Sequence, residues 1–208
     1  MERERLAIGH QGLEPVDVLR RLRGAERVVA LIGDWHQGEA LLACDPVHVV
    51  GPDDDPFTAV DDRESGWWIG NWGYRLGTLI ERVPHADQRP VPQPEHRIAL
   101  YDVVLRLVDE AWFVEYVSGA DPAPLVERLS GAASARPFEV GAFTLTPSAD
   151  GHQKGVARAL DHITAGDIFQ VNLCARLDAT FAGDPLDLFC QGVESLAPAY
   201  AAFIDAPD

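Results

Sequence analysis

Residues 165–177, Ala-Gly-Asp-Ile-Phe-Gln-Val-Asn-Leu-Cys-Ala-Arg-Leu, constrain the fold of this chain more than any other stretch. Gly166-Asp167 reads as a turn. Beyond it Phe169, Val171, Leu173, Ala175 and Leu177 alternate with Ile168, Gln170, Asn172, Cys174 and Arg176, which is the period of a half-buried strand. The second set is unusual for a solvent face, where Lys, Glu and Thr are the ordinary choices. Two amides and a guanidinium suit a planar, carboxylated ligand, because Arg grips a carboxylate through two parallel bonds. On pattern alone, a wet strand face and a ligand-lining wall both stay open.

Length and charge narrow the classes. A chain of 208 residues buries roughly 70% of its unfolded surface, enough for its own core in one domain or two small ones. The net charge is -16, from 33 acids and 17 bases. Phosphate neutralisation needs a basic surface, so no nucleic-acid partner is expected, and no anionic membrane surface either. A small anion in a locally positive pocket remains compatible with this charge. Lys154 is the only lysine, so any lysine chemistry of this chain has to use it. Cys44, Cys174 and Cys190 are far apart and form no C-x-x-C pair, so reduced thiols are expected, neither disulfide framework nor zinc site. Neither a secretory h-region nor a run of membrane-span length is visible, and a cytoplasmic location is expected.

Local chemistry predicts most elements. Val16–Leu22 reads as a helix with Val18, Leu19 and Leu22 on its apolar stripe and Gly24 as its stop. Val28–Ile32 and Ala40–Cys44 read as buried strands, the second closed by Asp45-Pro46. Pro52–Pro56 is an exposed loop. Ser65–Gly77 holds three tryptophans, a tyrosine and four glycines, and glycine among large rings implies backbone packed closely against them. It lacks the G-K-[ST] ending of a phosphate loop. Thr78–Val83 is predicted as a short helix and Pro84–Pro94 as a loop. Ile98–Val108 and Ala111–Val117 form a hairpin turned at Asp109-Glu110. Asp121-Pro122 opens a helix with Leu125, Val126 and Leu129 apolar and Gly131 as its stop. Phe138–Leu145 is strand-like. Pro147–Gly151 is the most linker-like stretch, and a boundary is placed there. Val156, Leu160 and Ile163 mark a helix that Gly166 ends. Asp184-Pro185 opens another, with Leu186, Phe189, Cys190 and Val193 apolar. Pro198 ends it, and Tyr200–Ile204 is a strand.

Motifs alone assemble no catalytic constellation. The seven histidines include no metal-spaced pair, and no serine elbow is present. His48 and His162 read as single packing or surface residues, and Asp61-Asp62 as solvated loop charge.

The wording of Ala165–Leu173, A-G-D-I-F-Q-V-N-L, resembles the signature strand of the chorismate-utilising enzymes, in the form of their aminodeoxychorismate synthase component I branch. The tryptophan–glycine element at 65–77 is similar to the family's G-G-W-x-G-y-x-G-Y-x-L-G stretch. Asp45-Pro46, Leu100-Tyr101-Asp102 and Pro198–Phe203 are similar to further family elements, so the resemblance covers most of the chain. It implies an α+β fold of layered, mostly antiparallel sheets with outer helices. Residues 1–147 would be the amino-terminal region and 148–208 an incomplete start of the chorismate-binding region.

The resemblance also implies roles. Gln170 stands where water-using relatives carry a lysine that activates water. A lysine of lowered pKa can take a proton and a neutral amide cannot, so Gln170 would position an incoming ammonia. Asn172 and Arg176 would face the substrate. Asn172 in Q-V-N-L leans toward aminodeoxychorismate formation, since anthranilate synthases more often read Q-V-V-L. The implied reaction replaces the C4 hydroxyl of chorismate with an amino group, for para-aminobenzoate and folate synthesis. Its ammonia comes from a glutamine amidotransferase partner, and it needs magnesium. The rivals are anthranilate synthase component I, a non-catalytic glutaminase-docking module and a plain scaffold.

Departures from the family pattern set further expectations. The S-P-E-x-F element, the P-I-K-G-T element with its nucleophilic lysine, the magnesium-binding glutamates and a carboxylate-binding arginine are not found in the sequence. Lys154 lies too early to replace that lysine. The chain is therefore expected to be the amino-terminal part of a longer enzyme, inactive alone and without a metal of its own. Ile32-Gly33-Asp34-Trp35 and Gly38–Leu41 lack the serine and arginine with which many members hold a tryptophan molecule, so no tightly bound tryptophan is expected.

Overall fold

The computed structural model describes residues 3–9, 12–35, 38–61, 65–82 and 94–205. In chain order its elements are β1 (Arg3–Ala7), α1 (Pro15–Arg21), β2 (Val29–Trp35), β3 (Gly38–Ala43), β4 (His48–Val49), α2 (Pro56–Asp61), β5 (Trp67–Trp72), α3 (Gly77–Ile80), β6 (His96–Tyr101), β7 (Val103–Val108), β8 (Ala111–Val117), α4 (Ala123–Arg128), β9 (Glu139–Val140), β10 (Thr144–Thr146), α5 (Ala149–Ala165), β11 (Arg176–Asp178), β12 (Phe181–Ala182), α6 (Pro185–Leu196) and β13 (Tyr200–Ile204). Among the described residues every strand pairing is antiparallel. The α+β architecture implied by the resemblance is the one found. The chain separates into two units, one made of residues up to Ala135 and from Leu188 on, the other of Arg136–Asp187.

The larger unit holds a six-stranded sheet in the order β1-β8-β7-β3-β2-β13 and a three-stranded sheet in the order β4-β6-β5. Val29, Leu41, Ala43, Val104 and Val117 of the first meet Trp67, Ile69, Ala99 and Tyr101 of the second in one buried cluster. The opposite face of the large sheet carries Leu42, Leu105, Trp112 and Val114, all fully buried. It faces helices. The Trp112 indole N–H donates to the Leu13 carbonyl at 2.8 Å, just before α1, and Phe189 of α6 meets Phe203 of β13 at 5.5 Å between ring centres. Strands covered on both faces lose the period-2 pattern and read as continuous apolar runs, as in Ala40–Ala43.

The ends of α1 follow local chemistry. Pro15 occupies its first turn, Asp17 lies at its positive end and Arg20 and Arg21 at its negative end. Arg20 is only 9% exposed. Its guanidinium reaches Glu194 at 2.9 Å and Asp17 at 3.2 Å, which ties α1 to α6. Leu19 and Leu22 are fully buried, and Gly24 takes the left-handed φ of +81° that stops the helix.

One expected strand is two. Ile98–Val108 breaks at Asp102: β6 belongs to the small sheet and β7 to the large one. The chain changes layer there, and the Asp102 carbonyl accepts from Val117 N–H at 2.9 Å. A run buried on both sides has no periodicity to reveal such a corner, and Asp102 is its mark in the sequence. The expected helix at 78–83 is shorter, ending at Ile80. Residues 83–93, most of the expected proline-rich loop, and Asp62 lie outside the described residues.

Asp45 closes the end of β3 with φ of +54°. Its carboxylate accepts Glu26 N–H at 2.9 Å and the Arg128 guanidinium at 2.9 Å. Beside it the Tyr101 hydroxyl donates to the Arg27 carbonyl at 2.7 Å. Burial, with the Asp45 carboxylate adding to it, pushes the Cys44 thiol up to about 12, and burial likewise raises the Tyr101 phenol. Both groups are held neutral in the fold.

The smaller unit is built differently. β9 pairs with β12 and β10 with β11 in two separate two-stranded ribbons. The expected strand at 138–145 is thus two short pieces, β9 and β10. Ser148 caps α5 by accepting Gly151 N–H at 3.2 Å, so residues 149–151 form the first turn of that helix. No residue of α5 is buried.

The raised thiol and phenol make stability depend on pH. Groups whose proton is held more tightly in the fold than in the unfolded chain stabilise it below their unfolded pKa, and that stability drains as pH rises toward the folded value. Urea midpoints are therefore expected to fall above about pH 9, and to fall less steeply in Cys44→Ala and Tyr101→Phe. Close backbone packing gives a second test. A Cβ on Gly70 lands on the Arg97 carbonyl and 2.7 Å from the Ile98 Cα. Gly70→Ala is expected to cost about 3 kcal/mol in chemical denaturation, because backbone has to move apart to admit it.

Candidate functional site

The Gly166 turn and the segment after it are built from α5 outward. Gly166 ends the helix with φ of +81°. Its N–H donates to the Ile163 carbonyl at 3.1 Å, and Asp167 N–H donates to the His162 carbonyl at 3.0 Å. The chain then leaves the helix through residues 168–175, which take no regular secondary structure, and joins β11 at Arg176. Leu173 passes over α5, its Cδ1 standing 4.0 Å from the position a Cβ on Gly155 would take.

This corrects the expected strand. Of residues 169–177 only Arg176 and Leu177 lie in a strand, paired with Thr146 and Leu145. The apolar set is not covered: Phe169 is 86% exposed and Leu177 63% exposed, with Val171 and Leu173 also exposed. A strand needs a neighbouring backbone for its N–H and C=O groups and a layer over its apolar face. Residues 168–175 pair with no strand among the described residues.

The candidate residues are accordingly placed along one segment without being gathered on one strand face. Gln170 and Asn172 lie exposed in the irregular stretch, and Arg176 opens β11. The Arg176 Nε donates to Asp178 Oδ2 at 2.7 Å, so a carboxylate already engages one edge of that guanidinium. Lys154 pairs with Asp150 at 2.7 Å on the exposed side of α5. His162 is not solitary: its Nδ1 lies 2.9 Å from Asp167 Oδ2. His48 packs edge-on against Trp68 at 5.9 Å, the packing role expected of it.

Magnesium, implied by the resemblance, finds no donor set here. Among the described residues no group of three or more His, Cys, Asp or Glu side chains is arranged to hold a metal ion. Two cavities lie in the other unit, beside the turn expected at Asp109-Glu110. One of about 400 Å³ is lined by Gly33, Asp34, Gly38, Glu39, Val108 and Asp109. Another of about 460 Å³ shares Glu39 and Asp109 with it. Asp109 and Glu110 both take positive φ, 51° and 62°, in the two-residue hairpin turn between β7 and β8. The two left-handed residues were legible as a turn. That the turn abuts Glu39 of another hairpin was not, because the approach joins residues 71 positions apart.

The smaller cavity occupies the Ile32–Leu41 region, where serine and arginine were missing from the sequence. Asp34, Glu39 and Asp109 are among its lining residues, and the serine and arginine of the family's tryptophan pocket are missing from this stretch. Calorimetry with free tryptophan is expected to give no saturable heat at millimolar ligand. A saturable isotherm would overturn this expectation.

Comparison with known proteins gives a consistent set of relatives. A family model described as chorismate binding enzyme matches residues 18–208. An aminodeoxychorismate synthase component 1 from Streptomyces lividans is 25% identical over 200 residues, which cover 91% of this chain and 42% of that protein. The protein of that name from Klebsiella aerogenes is 27% identical over 145 residues, 67% of this chain and 32% of its own. A 2-amino-4-deoxychorismate synthase from Streptomyces globisporus is 29% identical over 194 residues, 85% of this chain and 39% of its own. The chain thus spans about a third to two-fifths of the length of these relatives. No helix among the described residues is long and apolar enough to cross a membrane.

Proposed function

The chain belongs to the chorismate binding enzyme family, and from that membership we propose that it forms part of an aminodeoxychorismate synthase component 1, which aminates chorismate at C4. The observation that carries this reading is the Ala165–Leu173 motif with glutamine at 170 and asparagine at 172. The Streptomyces lividans and Klebsiella aerogenes relatives bear the same component name, and that supports it. Residues 1–147 are assigned to the amino-terminal region and 148–208 to the start of the chorismate-binding region.

In this reading ammonia arrives neutral and forms the bond to C4, and the C4 oxygen leaves as water. Ammonia needs no base to become a nucleophile, so an amide at position 170 that holds without deprotonating is sufficient. Asn172 and Arg176 are assigned to the hydroxyl and carboxylate groups of the substrate, the guanidinium through charge-assisted bonds. A glutamine amidotransferase supplies the ammonia; the numbering of the relatives as component 1 favours a second component. Magnesium supplies charge neutralisation at the substrate carboxylate when bound. The described residues offer no donor set for it, and no step is assigned to it.

The name of the Streptomyces globisporus relative supports a second reading, amination at C2, which anthranilate synthases share. The test is product identity after residues 1–208 are joined to the carboxy-terminal portion of the Streptomyces lividans relative and supplied with chorismate, ammonium and magnesium. The 4-amino product is expected. A 2-amino product or anthranilate would favour the second reading. In the same fusion Gln170→Lys is expected to lower amination by about tenfold or more, the usual size of an acid–base or positioning contribution. Unchanged amination would remove Gln170 from the site. The chain alone is expected to form no product.

A further inference from the structure

We propose that His162 and Asp167 form a polar clasp that sets the direction in which the chain leaves α5 and so positions Gln170 and Asn172. The functional consequence rests on the assignment of those two amides to the chorismate site; the clasp itself rests on geometry. Asp167 N–H bonds to the His162 carbonyl, Gly166 N–H bonds to the Ile163 carbonyl, and Gly166 is left-handed. This is the two-bond helix stop in which the residue after the glycine faces the residue five positions earlier. In most such stops those two positions carry apolar side chains in contact. Here they carry His162 and Asp167, with Nδ1 and Oδ2 at 2.9 Å. The same two residues are thus joined twice, once through backbone and once through side chains.

The side chains are 46% and 61% exposed. A lone surface pair of this kind would contribute little. Its weight comes from the segment it anchors. Residues 168–175 are exposed and take no regular structure, and β11 begins only at Arg176. Gln170 is three residues beyond the clasp. A wobble at Asp167 therefore displaces it directly, with no strand ladder to correct the path.

The geometry carries a spectroscopic signature. For the imidazole to donate to Asp167, neutral His162 must hold its proton on Nδ1, and the tautomer is set by the bond that each ring nitrogen makes. In nitrogen-15 spectra of the 208-residue protein, neutral His162 is expected as the Nδ1–H form, reverting to Nε2–H in Asp167→Ala. Both His162→Ala and Asp167→Ala are expected to speed amide exchange at Gly166 and Asp167 by about threefold or more, and to lower the heteronuclear NOE across 168–172. The global unfolding midpoint is expected to hold. The double variant His162→Leu with Asp167→Leu is expected to restore both exchange and NOE, because an apolar pair meets the usual requirement of this helix stop. Unchanged exchange and NOE in the single variants would overturn the clasp, as would an Nε2–H tautomer in the unmodified protein or failure of the Leu pair to rescue. If these results hold while Gln170→Lys leaves amination of the fusion protein unchanged, the assignment of Gln170 fails and the clasp stands.

Discussion

A single cross-strand row, Leu6–Val114–Leu105–Leu42–Ala30–Phe203, runs across all six strands of the large sheet. It depends on register, because a slip of one residue would turn every member of the row to the opposite face. On this face the Trp112 indole meets the chain entering α1, and Phe189 of α6 meets Phe203. On the other face Val29, Leu41, Val104 and Val117 meet the three-stranded sheet. Burial on both sides makes these strands apolar without alternation. It also makes small residues necessary where layers or strands crowd, as at Ala30, Ala40 and Ala43.

The same physics accounts for the other unit by its absence. The alternation at 169–177 is that of a strand with one covered face, yet only Arg176–Asp178 forms one. Phe169, Val171, Leu173 and Leu177 are exposed, as are Val156, Leu160 and Ile163 on α5. The stripe of α5 was legible from its spacing. Its exposure was not, since spacing states which residues share a face and never what lies against that face. The polar residues between are those assigned to the chorismate site in the proposed function.

Electrostatics divides along the same line. Solvated loop charge is the local reading of an acidic pair such as Asp61-Asp62. Asp34, Glu39 and Asp109, however, line one cavity, while Asp45 draws Glu26 N–H and Arg128 to the end of β3. Asp45-Pro46 marked a strand end in the sequence. Its second role, joining segments 83 positions apart, had no local signal. His162 is a parallel case: read as a single residue, it is paired with Asp167 across the helix stop.

Helix stops, caps and the family motif were determined by the sequence alone. Gly24 and Gly166 act on hydrogen bonds that close within about five residues, so their chemistry is complete in a short window. The identity of Gln170 and Asn172 is likewise local wording. The corner at Asp102, the pairing of β13 beside β2, the shared acidic lining of Glu39 and Asp109 and the unpaired course of 168–175 were decided only by tertiary structure. A strand closes its hydrogen bonds on residues far away in the chain, and neither the partner nor its absence is written in the strand itself.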